Sequence, residues 1–155
     1  MSLFTRRRRR KLLESPTPAH WRQILDRNVP GLRALPEGQL ETLLALTRVF
    51  LEEKNFEGAG GLEMTDEVRV TIAAQACLLL LGRSDDVCGA RVYPALQSIV
   101  VYPDEYVAPL EEYQPDGTVY DGPEERSGES WSQGAVAISW ADAMAGAADP
   151  ADGDN

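Results

Sequence analysis

The chain predicts an α+β fold, because segments with helical periodicity come first and short β-rich runs come second. Between residues 18 and 81, apolar side chains recur at three- and four-residue spacing. Beyond Gly82 that spacing gives way to β-branched runs bounded by prolines. A length of 155 residues, 43% of them apolar and 26% charged, suits one globular domain with one core.

Residues 1–14 read as a flexible basic tail. The cations of Arg6, Arg7, Arg8, Arg9, Arg10 and Lys11 repel one another, and Leu12 with Leu13 offers little apolar surface to order them. Ser15-Pro16-Thr17-Pro18 is the joint to the domain proper, residues 15–155. Thr17 suits an N-cap and Pro18 the first helical position. The helix predicted there runs to about Asn28, with Trp21, Ile24 and Leu25 on one face, and Pro30-Gly31 breaks it.

A second helix is predicted from Pro36, striped by Leu40, Leu43, Leu44, Phe50 and Leu51. Gly58-Ala59-Gly60-Gly61 reads as a loop. Thr65 caps a third helix, whose first turn carries Asp66 and Glu67 where the helix dipole favours anions. Val68, Ile72, Ala76, Leu79 and Leu80 form its predicted buried face, and Gly82 suits its stop.

Strands are predicted over residues 90–93, 98–102 and 135–140, with a short one at 118–120. The last alternates Val136, Ile138 and Trp140 against Ala135, Ala137 and Ser139. Residues 104–117 and 121–127 read as polar loops, and 141–155 as a segment with one helical turn at most.

The net charge of −10 is unevenly spread. Residues 12–155 carry nine basic against 25 acidic side chains, a net −16. Such a body repels nucleic acid and anionic membrane, so any contact with either falls to the basic segment alone. No apolar run approaches the ~18 residues of a membrane span, and no apolar stretch follows the arginines as in a secretory leader. Two cysteines, Cys77 and Cys88, are too few for a disulfide scaffold. A cytoplasmic protein with reduced thiols is the expectation.

Several chemistries find no constellation. Catalytic zinc needs three protein ligands and an open position. The one histidine is His20, and the two cysteines lie eleven apart in no zinc spacing. Ser130 lies in Gly-Glu-Ser-Trp-Ser, which lacks the final glycine of a nucleophile elbow and has no downstream histidine. The acidic stretch 149–155 misses the calcium-loop spacing. No catalytic and no metal-ligating residue is therefore assigned.

A resemblance supplies what spacing does not. Trp21, Ile24, Leu25 and Val29-Pro30, then residues 50–58 (FLEEKNFEG), 65–77 (TDEVRVTIAAQAC) and 99–103 (IVVYP), then Gly128-Glu129-Ser130-Trp131 and Ser139-Trp140, occur in one order. This order resembles the zinc-dependent peptidase family of Mlc titration factor A. The resemblance implies an incomplete zincin-like domain, with a helical N-terminal section packed on a small mixed sheet. It further implies that the family's His-Glu-x-x-His helix follows this stretch, so the 155 residues by themselves are expected to bind no zinc and to be inactive. Asp154 stands where the family often has histidine. For the full-length family the resemblance implies a zinc cofactor, peptide substrates, amino-terminal cleavage of the aminopeptidase type, and a transcriptional-repressor partner. An interaction module without catalysis, or a fragment without function, is the alternative. Val136, Ala137, Ile138, Ser139 and Trp140 are the expected substrate-side edge strand, since they lie nearest in sequence to the expected active-site helix.

Overall fold

The computed structural model describes residues 3–83, 86–104, 130, 131 and 134–148. Among the described residues, five α-helices and four strands form an α+β domain in which the helices cover a small mixed sheet.

The first element corrects the sequence reading. Leu3–Leu13 is a helix, α1, where a flexible tail was expected. Its order comes from a distant partner. Arg9 is 4% exposed and donates from Nε and Nη2 to the two Glu53 oxygens at 2.8 and 2.9 Å. Its Nη1 donates to the carbonyls of Val87, Cys88 and Ala90 at 3.1, 3.2 and 2.8 Å. Arg48 Nη2 holds the helix end through the Leu12 carbonyl at 2.9 Å.

α2 (Ala19–Asn28) begins one residue later than predicted, with Pro18 at the N-cap and no side-chain cap. A 3-10 turn, Pro30–Ala34, follows. α3 (Glu37–Glu53) buries Leu43, Leu44, Leu46, Val49 and Phe50. β1 (Asn55–Gly58) is a strand that the sequence reading did not predict, and its last residue was read as the start of a loop. It closes at Gly58 because the chain turns back tightly: a Cβ there would lie 2.1 Å from the Leu62 carbonyl oxygen. α4 (Asp66–Leu78) starts at the predicted cap, with Thr65 Oγ1 accepting the Val68 N–H at 3.3 Å. Its buried residues are Val68, Val70, Thr71, Ile72, Ala73, Ala74 and Cys77. Leu79, predicted as buried, is 55% exposed because the helix has ended and the chain is already turning.

Residues 90–93 are not a strand. They follow a second 3-10 turn, Val87–Gly89, yet Val92 is buried. The Tyr93 hydroxyl donates to the Ala76 carbonyl at 2.7 Å, and its ring meets Phe50 edge-on at 6.0 Å. β2 (Ser98–Tyr102) matches its prediction. β3 (Ser130–Trp131), β4 (Ala135–Ser139) and α5 (Trp140–Ala148) complete the domain. Trp140 thus opens a helix of nine residues where a strand end and at most one turn were expected. The predicted strand at 118–120, the polar loops beyond residue 104 and the acidic stretch 149–155 lie outside the described residues.

The sheet order is β1-β2-β4-β3, with the first three strands parallel and β3 antiparallel to β4. Parallel partners share a face, so the register Phe56–Ile99–Val136 and Gly58–Val101–Ile138 makes one apolar side. That side packs on α3 and α4: Ile99 and Val101 are buried, and Phe56 meets Phe50 at 6.0 Å between ring centroids.

Candidate functional site

The expected substrate-side strand is only partly where it was placed. β4 is an inner strand, since β2 pairs along its whole length on one side and β3 pairs with Ala135 and Val136 on the other. Among the described residues the edge on that side is β3, so the assignment of Val136, Ala137, Ile138, Ser139 and Trp140 as an edge strand is corrected. Beyond β3, residues 137–139 have no strand partner on their outer side among the described residues. Ala137 and Ser139 are buried, whereas Val136 and Ile138, the larger side chains, are half-buried against the core.

Local chemistry explains why the strand stops at Ser139. Its Oγ accepts the Asp142 N–H at 3.1 Å, the N-cap geometry that starts α5 at Trp140. The Ala141 N–H donates to the Pro103 carbonyl at 3.2 Å and ties α5 to the end of β2. Gln75 Nε2 donates to the Ala143 carbonyl at 3.2 Å and ties it to α4. Ala147 is 2% exposed within the core. The start of β4 is held as tightly. The Gln97 N–H donates to the Gly134 carbonyl at 2.7 Å, and Gly134 has φ +78°, a region that disfavours side chains.

Among the described residues no zinc site is assembled. His20 Nε2 bonds Asp66 Oδ2 at 2.9 Å on the surface, and Arg69 pairs with the other Asp66 oxygen. The His20 hydrogen bond and then Arg69 hold the Asp66 carboxyl below its ordinary value. Cys77 is fully buried, and burial pushes its thiol up to about 12. Cys88 is half-buried. Among the described residues, no group of three His, Cys, Asp or Glu side chains stands close enough to hold a metal ion.

Three buried polar anchors escaped sequence reasoning. Arg9 was hidden in a run of like charges. Asn28, 4% exposed, donates to Glu67 Oε2 and Thr71 Oγ1, both at 3.0 Å, and joins α2 to α4. Lys54 is 8% exposed and donates to the Tyr93 carbonyl at 2.7 Å. Burial holds its ammonium below the ordinary lysine value. A polar residue at the end of an apolar helix face was the available signal for Asn28.

Comparison with known proteins decides the lineage. The family described as glucose-regulated metallo-peptidase M90 matches residues 3–155. The chain belongs to this family. Similar proteins include an uncharacterized protein of Synechocystis sp., 38% identical over 135 residues, which cover 86% of this chain and 47% of the relative. The Mlc titration factor A of Serratia proteamaculans is 30% identical over 130 residues, covering 83% of this chain and 47% of the relative. That of Yersinia pestis is 28% identical over 125 residues, covering 80% and 43%. The chain thus spans slightly less than half the length of these curated relatives. No helix among the described residues is long and apolar enough to cross a membrane.

Proposed function

We propose that these 155 residues are the helix-and-sheet half of a zincin-like, zinc-dependent peptidase domain of the M90 family, working in the cytoplasm. The zinc ligands would be carried by the part of the family's length that this chain does not span. The observation that carries the reading is the family match across residues 3–155.

Peptide binding follows from the sheet. An extended substrate adds to a sheet through backbone hydrogen bonds on an unpaired strand side. The outer side of β3, continuing along residues 137–139 of β4, is the place we assign to it. α5 is tied to β2 and α4 and would position the segment that the family carries after it. Cleavage from the amino end, as an aminopeptidase, is the substrate reading we favour by family resemblance.

The relatives' name, Mlc titration factor A, supports a second role. In it the chain binds a protein partner, by family resemblance a transcriptional repressor, without need of catalysis.

A peptidase assay with zinc tests the first reading. The 155-residue chain is compared with the same chain extended by the second half of the Serratia relative. Chelator-sensitive turnover is expected from the extended protein alone. Turnover by the short chain would place the active site elsewhere. Repressor capture by the short chain, with no turnover from the extended protein, would select the second role.

A further inference from the structure

We propose that the outward face of α1 docks the protein reversibly on an anionic phospholipid bilayer. The inference starts from the fixed rotation of this helix. Thr5, Arg9 and Leu12 lie at helical spacing on one side. Arg9 is locked by Glu53 and three carbonyls, and Leu12 packs against the core. With that side pinned inward, Phe4, Arg7, Arg8 and Lys11 fall at i, i+3, i+4 and i+7 on the opposite side, flanked by Leu3 and Arg10.

All six of these side chains are exposed. Leu3 and Phe4 are 77% and 74% exposed, and with Leu79 they are the exposed large apolar residues among those described. Arg7, Arg8, Arg10 and Lys11 have no carboxylate partner among the described residues, whereas Arg6 is paired with Asp86 at 2.8 Å. The result is a face about 12 Å long with two apolar side chains at its start and, behind them, four cations without a carboxylate partner among the described residues.

A lipid surface uses both features. Clustered Lys and Arg are drawn to anionic headgroups, and apolar side chains on the same face enter the headgroup boundary. Basic charge alone gives weak adsorption, and a second signal is needed for firmer attachment. Leu3 and Phe4 are that second signal. A nucleic acid would use the cations and leave both apolar side chains in water. The acidic remainder, net −16 over residues 12–155, leaves α1 as the side by which the protein meets a negative surface.

Co-sedimentation of the full 155-residue chain with vesicles is the test. Vesicles of phosphatidylcholine with about one-third phosphatidylglycerol are expected to bind about tenfold more tightly than pure phosphatidylcholine, and binding should vanish near ~0.5 M salt. The triple variant R7Q/R8Q/K11Q is expected to lose about tenfold in affinity. F4S is expected to lose about threefold or more while keeping the salt dependence. All four positions are exposed, so the melting temperature of each variant should stay near that of the parent.

Equal binding to neutral and anionic vesicles would overturn the proposal. So would an F4S variant that binds like the parent, since the contact would then be charge adsorption without insertion. Tighter binding to duplex DNA than to anionic vesicles at the same salt would assign the face to nucleic acid instead.

Discussion

Replacing Arg9 by methionine is expected to cost about 3 kcal/mol of folding stability. Methionine keeps most of the aliphatic stem, so the change isolates the guanidinium. Removing one partner of a buried ion pair costs about 3–5 kcal/mol, because the other charge is left without compensation. The Glu53 side chain keeps 21% exposure, so water recovers part of that penalty and favours the lower end. Three carbonyls, those of Val87, Cys88 and Ala90, also lose a donor. Together these give a value near 3 kcal/mol, a large share of the 5–15 kcal/mol by which a domain is stable. At about 2–4 °C per kcal/mol for a chain of this size, the melting temperature should fall by about 6–12 °C. Urea denaturation and thermal melts followed by circular dichroism read both quantities. The double variant R9M/E53Q should lose less than the sum of its singles, because no charge is stranded. An R9M protein within about 0.5 kcal/mol of the parent, or strict additivity in the double variant, would show that α1 is not docked by this pair.

Other perturbations probe separate parts of the fold. Asn28→Ala strips hydrogen bonds from Glu67 and Thr71 at a buried site and should lower the urea midpoint by an amount equal to about 1–3 kcal/mol; an unchanged midpoint refutes the buried bridge. Gly58→Ala places a Cβ against the Leu62 carbonyl and should destabilise by about 2 kcal/mol or more, where a neutral result would show that the β1 turn relaxes freely. The Asp66 carboxyl is held below its ordinary value by His20 and then Arg69, so its contribution is present above about pH 4 and lost as pH falls through the folded value. Asp66→Asn should therefore flatten the loss of stability below about pH 4, and parallel pH profiles for the two proteins would contradict this. Iodoacetamide under native conditions should label Cys88 and spare Cys77, whose buried thiol is pushed up to about 12; equal labelling rates read by mass spectrometry would refute that burial.

The placement of the candidate site shows where sequence reading stops. Alternation at 135–140 is a property of neighbouring residues, and it located β4 within one residue. Whether a strand lies at an edge depends on what pairs with it. Here two residues of β3 decide that question, and nothing inside β4 reports them. Trp140 was assigned to the strand because it continues the alternation. The Ser139 hydroxyl, by capping α5, outweighs that pattern.

What the sequence determined by itself is the set of elements whose reasons are local. α2, α3 and α4 follow from apolar spacing, with breaks at Pro30-Gly31 and a cap at Thr65. β2 follows from a β-branched run closed by Pro103. The family blocks were likewise legible, since they are strings of neighbouring residues. Tertiary structure alone decided α1, β1 and the strand order. A run of five arginines has no local reason to fold, and it orders because Glu53 and three carbonyls, 44 and 78–81 residues distant, accept from Arg9. β1 is four residues long and exists through parallel pairing with β2, beginning where the Asn55 N–H donates to the Gln97 carbonyl at 2.9 Å. Local preference is written residue by residue, whereas a buried charge or a parallel strand gains its stability only from partners that folding brings to it.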